Sequence, residues 1–135
     1  MNWKLIFLLS IFGLAMGFAT VSLVPSTIEP ICWLVIIIIS SYMIARYASG
    51  RYFLHGLLVS LLNSVWLTLA HVAFFDTYIA SHPEYMQMVE GLPPALSAHP
   101  KRMMFLIGPI TGLIFGLVLG IFSWIASRMI NRFLS

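Results

Sequence analysis

The sequence predicts an all-α fold, an integral membrane four-helix bundle with a long extracytoplasmic loop between its third and fourth helices. Three observations support this prediction. First, 61% of the 135 residues are hydrophobic and only 8% are charged, with a mean hydropathy of +1.00, too few charges to cover a soluble domain. Second, the apolar residues form four long runs. Third, no run alternates polar and apolar residues as transmembrane barrel strands do.

The four predicted spans comprise residues 5–24, 31–47, 52–75 and 103–127. About 20 residues of helix cross a hydrocarbon core of ~30 Å, and the first, third and fourth runs reach that length directly. The second run is shorter. It becomes long enough if Arg46 extends its side chain to the headgroups and the helix continues to Tyr47.

Two predicted connections are short, and the third, residues 76–102, is a long outer loop. Within this loop we expect a short helix from Pro83 to Glu90, because proline favours the first turn of a helix and Gly91 can end one. The loop is also more apolar than a flexible linker. We therefore expect it to fold over the end of the bundle.

The distribution of charge predicts the orientation of the chain. Five cationic residues fall on one side of the predicted spans, namely Lys4, Arg46, Arg51, Arg128 and Arg132. Lys101 and Arg102 fall on the other side together with all four acidic residues. The positive-inside rule then places both termini in the cytoplasm. We expect the chain to be a multi-pass protein of a cell inner membrane. The first span also resembles a signal peptide, but we expect a retained signal-anchor helix.

Small residues recur at helical spacing in three spans, which predicts close helix packing. The predicted packing glycines are Gly13, Gly17, Gly56, Gly108, Gly112, Gly116 and Gly120. One interpretation is packing within the chain, and the other is an oligomeric glycine zipper that lines or closes a pore. Pro109 either occupies the first turn of the fourth helix or kinks that helix near its outer end.

The third span carries a polar face, and ionisable or strongly polar groups within membranes are functional candidates. Its members are Asn63, His71, Ser60, Ser64 and Thr68. These residues either join helices through hydrogen bonds or line a polar cavity that contacts a ligand. His55 is 16 residues from His71, about 24 Å along a helix, so the two cannot share a metal ion.

The outer loop carries four residues that could bind a metal ion. Imidazole and thioether ligands suit Cu(I), which makes a weak metal hypothesis of His82, Met86, Met88 and His99. The same loop could simply rest on the membrane surface. Cys32 is the single cysteine, the cations form no nucleic-acid patch, and common catalytic motifs are missing. No catalytic residue, cofactor or nucleic-acid partner is predicted.

The predicted function is that of a small polytopic membrane protein without catalysis, acting as a structural or accessory subunit. A small oligomeric transporter or channel is the alternative, although no Asp, Glu, Lys or Arg lies near the middle of a span to support proton coupling. A membrane-embedded metal- or haem-binding protein is a weaker alternative. Expected partners are the lipid bilayer and either a second copy of the chain or another membrane protein.

Overall fold

The computed structural model describes residues 1–133, and this part of the chain contains seven helices and no strand. Four helices are long and apolar enough to cross a membrane. They are α1 (Trp3–Ser22), α2 (Glu29–Tyr47), α3 (Tyr52–Ala73) and α7 (Pro100–Phe133), and three short helices, α4 (Phe75–Ser81), α5 (Pro83–Glu90) and α6 (Pro94–Ser97), join α3 to α7.

The long helices differ from the predicted spans mainly at their ends. The side chain of Asn2 caps α1 by accepting a hydrogen bond from the Leu5 N–H at 3.1 Å, so α1 begins before the apolar run does. Helix α7 exceeds residues 103–127 at both ends because a helix does not stop at the first charge. Pro109 lies inside α7, so the first of its two predicted positions, the first turn of the helix, is wrong. Helix α5 has the predicted bounds.

Helix α3 is the central element of the bundle. It packs along α1 on one side and along α7 on the other, while α2 packs chiefly on α7 and only sparsely on α1 and α3. A core cluster that includes Ile6, Leu9, Ile44, Val59 and Leu119 fills the half of the bundle near the α2–α3 turn. The packing order is therefore α1, α3, α7, α2, which differs from the order along the chain.

The α2–α3 turn requires an unusual backbone. Gly50 has a φ of 129° and Arg51 a φ of 50°, and the first of these values is readily adopted only by glycine. His55 then ties this end of the bundle together. Its Nδ1–H donates to the Arg51 carbonyl at 3.0 Å, and its Nε2 accepts from the Asn2 backbone N–H at 3.0 Å.

The short helices lie against the opposite end of the bundle. Helix α4 packs on α1, and α5 and α6 contact α7. The Tyr85 hydroxyl of α5 donates to the Pro100 carbonyl at 2.8 Å, and Val89 is fully buried. The connection between α3 and α7 is thus folded onto the helix ends that it joins.

Candidate functional site

A cavity of about 400 Å³ lies between α2, α3 and α7, in the half of the bundle that faces the short helices. This volume falls within the range of roughly 300–1,000 Å³ usual for small-molecule sites. The walls of α3 and α7 carry small residues, Ser60, Ser64 and Gly112, opposite the larger side chains of α2. Because these small residues do not fill the space next to α2, the three helices enclose a cleft rather than a closed core.

Asn63 is the most constrained polar residue of the cavity. Only 4% of it is exposed, and its Oδ1 accepts a hydrogen bond from the Gly13 N–H of α1 at 3.0 Å. A backbone N–H can only donate, so this contact identifies the oxygen and orients the carboxamide. Nδ2 then has no hydrogen bond to the described residues, and the side chain lines the cavity. Nδ2 is the donor available to a molecule bound there.

Three of the five residues of the predicted polar face line this cavity, and two do not. Ser60 donates to the Gly112 carbonyl of α7 at 3.1 Å, and Ser64 donates to the Leu61 carbonyl of its own helix at 2.8 Å. Thr68 faces Gly108 instead, and His71 lies beyond the cavity. The predicted face is therefore divided between a cavity wall and interhelical contacts.

The end of the cavity near the short helices is acidic. Glu29 lines it and accepts a hydrogen bond from the Trp33 indole N–H at 3.1 Å. Ser26, also a lining residue, donates a hydrogen bond to the Glu84 carboxylate of α5. That hydrogen bond holds the pKa of Glu84 below its usual range, because it stabilises the charged form.

Next to this end is an aromatic stack formed by His71, Tyr78 and His82. The ring centroids of His71 and Tyr78 are 4.1 Å apart, and those of Tyr78 and His82 are 4.4 Å apart. Tyr85 contacts the Tyr78 ring edge-on at 6.0 Å. Because these rings come from α3, α4 and the residues up to α5, the aromatic stack joins the short helices to the bundle.

Hydrogen bonds orient both histidines of the aromatic stack. The Thr20 hydroxyl donates to the Met16 carbonyl at 2.6 Å, so its oxygen accepts the Nε2–H of His71 at 2.7 Å. His82 Nδ1 lies 3.2 Å from the Tyr78 carbonyl, which can only accept. The proton of His82 is therefore on Nδ1, and its buried Nε2 has no partner among the described residues.

The electrostatics of Tyr78 link the aromatic stack to the acidic end of the cavity. The pKa of Tyr78 is raised to about 12, chiefly by burial and to a smaller extent by the negative charges of Glu29 and Glu84 and by Tyr85. Both carboxylates thus act on the same phenol ring. The hydroxyl stays protonated throughout the physiological range.

The predicted packing glycines all lie at contacts within the chain. In α7, the four glycines Gly108, Gly112, Gly116 and Gly120 face Thr68, Ser64, Leu57 and Phe53 of α3. Gly56 of α3 faces the backbone of α7, whereas Gly13 and Gly17 of α1 face α3. The glycine stripes of the three helices are therefore covered by α3 and its neighbours.

The predicted copper ligands have different environments. His82 is buried in the aromatic stack, Met86 is half-buried, and Met88 and His99 are exposed. Within residues 1–133, no three His, Cys, Asp or Glu side chains are grouped so that they could hold a metal ion. The four residues thus do not share one environment, since one is buried, one is half-buried and two are exposed.

The geometry defines a class, an all-helical chain with four helices of membrane-crossing length and a cleft among three of them. Comparison of the chain with family models, with curated proteins and with solved structures finds no match.

Two parts of the site were not predicted from the sequence. Glu29 and Trp33 are four residues apart at the start of α2, a spacing that brings side chains together on a helix. Tyr78 and His82 follow His71 by seven and eleven residues, which is one helical face. This spacing predicts the aromatic stack only if helical structure continues past Phe74, as it does in α4.

Proposed function

We propose that this chain is a non-catalytic accessory protein of a cell inner membrane that binds one small amphipathic molecule in its α2–α3–α7 cavity. The observation that carries the proposal is the cavity itself, in which apolar walls surround the free amide nitrogen of Asn63. Small-molecule sites typically combine apolar walls with a few placed polar groups.

The outer surface of the bundle supports a location in the bilayer. Large apolar side chains are exposed on all four long helices, for example Phe7, Ile38, Leu69 and Leu113. The solvent would have to be apolar for such faces to be stable. Helix α1 has 20 residues, about 30 Å at 1.5 Å per residue, which matches the hydrocarbon core.

The lining also supports binding rather than catalysis. The hydroxyl protons of Ser60 and Ser64 are donated to backbone carbonyls, so neither side chain is paired with a base as a nucleophile requires. In the part of the chain that the structure describes, no histidine lines the cavity. The polar groups present are suited to positioning a ligand through hydrogen bonds.

A blocking substitution tests ligand binding. Thr111 is an exposed lining residue of α7, so Thr111→Trp should occupy the cleft without disturbing the α3–α7 contact. Leu113→Trp, on an exposed part of α7 outside the lining, is the matched control. We expect native mass spectrometry of protein purified in mild detergent to detect a bound non-protein species in the unaltered chain and in the control, and at least about tenfold less in Thr111→Trp.

Equal occupancy in the two tryptophan variants, or an unoccupied unaltered chain, would contradict the proposal. The same spectra report the mass of the protein assembly. They therefore test the expectation that a second copy or another membrane protein accompanies the chain, in addition to bilayer lipids.

The proposed orientation places both termini in the cytoplasm and the short helices outside. It rests on the distribution of the cations, five on one side against two on the other. Ser49 and Ala80 are exposed at opposite ends of the bundle. In a Cys32→Ser background, we expect an impermeant thiol reagent to label Ala80→Cys in intact cells and Ser49→Cys only after permeabilisation. The reverse pattern would overturn the orientation.

A further inference from the structure

We infer that the molecule held in the cavity is an organic cation with an apolar body, whose charged group lies beside Glu29 and the ring of Trp33. This inference rests on the proposed function and adds the chemical class of the ligand. It follows from the charge, the aromatic rings and the polar groups of the cavity lining.

Among residues 1–133, Glu29 is the only charged residue that lines the cavity. It is half-buried, and one carboxylate oxygen accepts the Trp33 N–H. The other oxygen has no hydrogen bond, and no Lys, Arg or His of residues 1–133 forms an ion pair with it. A partly desolvated carboxylate without a counter-ion attracts a cation more strongly than a solvated one.

A second carboxylate, that of Glu84, adds to the negative charge at this end of the cavity. Ser26 holds the side chain of Glu84 at the cavity end through a hydrogen bond. Glu29 and Glu84 therefore lie at the same end of the cavity. Clefts with low-dielectric walls and charge of one sign concentrate ligands of the opposite sign. An anionic amphiphile would be repelled here.

Aromatic rings complete the recognition of a cation. Trp33 of α2 and Phe115 of α7 both line the cavity, with ring centroids 6.4 Å apart. Organic cations bind to the faces of such rings, tryptophan most strongly. The side chain of Asn63, which is more than nine-tenths buried, lies further along the same cavity. Its amide nitrogen has no hydrogen-bond partner among the described residues. It can donate to a polar atom on the body of the ligand.

Two probes of the same shape and opposite charge separate this inference from the proposed function. Tetraphenylphosphonium and tetraphenylborate would be titrated against the full chain in nanodiscs of phosphatidylglycerol, with tryptophan fluorescence as the readout. We expect Glu29→Gln to weaken phosphonium binding at least about tenfold and to leave borate binding unchanged or stronger. The glutamine still accepts the Trp33 hydrogen bond, so the fold of α2 is retained. Glu90→Gln, an exposed change outside the lining, is the control.

The outcomes are distinguishable. If neither probe binds in a manner blocked by Thr111→Trp, the proposed function fails. If both bind at the blocked site and Glu29→Gln affects them equally, the cavity stands and the cationic inference is overturned. Addition of phosphatidylethanolamine to the nanodiscs identifies the source of the cation: competition with the phosphonium indicates a lipid amine headgroup, and its absence indicates a free organic cation.

Discussion

We expect Gly13→Ala to destabilise the bundle more than any other substitution that adds one methyl group to a residue of α1. A Cβ at Gly13 would overlap the Cα of Asn63, a backbone atom of α3 that cannot rotate away. The helices must separate, which also weakens the hydrogen bond from the Gly13 N–H to Asn63. Overpacking costs about 1–3 kcal/mol, and the hydrogen bond adds about 1 kcal/mol.

The control for this substitution is Gly91→Ala at the end of α5. Gly91 has a φ of −74°, and a Cβ there would meet no atom closer than 3.4 Å. We expect Gly91→Ala to keep the thermal midpoint of the unaltered protein in detergent, whereas Gly13→Ala lowers it and reduces the folded yield. Equal midpoints for the two variants would mean that α1 and α3 do not approach as closely as the structure describes.

Truncation of Tyr78 is expected to release the short helices from the bundle. Its ring stacks on His71 and on His82 and receives the edge of Tyr85. Each aromatic contact is worth about 0.5–1.5 kcal/mol beyond burial. Loss of both stacking contacts in Tyr78→Ala should therefore raise the fraction of molecules in which α4 and α5 are released from the bundle by about tenfold or more.

Hydrogen exchange with proteolysis readout measures this release. Amides of α4 and α5 should exchange about tenfold faster in Tyr78→Ala, while those in the middle of α3 remain protected. Met88→Ala changes a side chain on α5 that is 47% exposed, and it should leave exchange unaltered. Uniformly fast exchange of α5 in the unaltered protein would show that the aromatic stack does not hold the segment.

The apolar runs predicted the all-helical fold and four helices of membrane-crossing length, because length and hydropathy are properties of a continuous segment. Pro83 and Gly91 likewise predicted α5, since both act on the backbone locally. The positions of the helix ends were predicted less accurately. Pro100 begins α7 ahead of two cations, and a rule that stops at charges misses that turn.

The site could be predicted only in part. The polar face of α3 identified Asn63, Ser60 and Ser64, but helical periodicity does not say which neighbour a face meets. Thr68 meets a glycine of α7, and His71 meets Thr20. Glu29 was not predicted as a site residue because in the sequence it lies in the connection between the first two predicted spans. In the structure it lines the cavity. Such relations depend on the order in which the helices pack.

That packing order also bears on how the chain is made. The first two helices to be synthesised, α1 and α2, touch each other only sparsely, and their main partners are α3 and α7. Until those partners arrive, the buried polar side chains Thr20 and Ser40 have no helix to cover them. Because α7 follows the other described helices along the chain and forms one wall of the cavity, the cavity cannot form before α7 has been made. A chain interrupted before α7 would therefore lack the cavity.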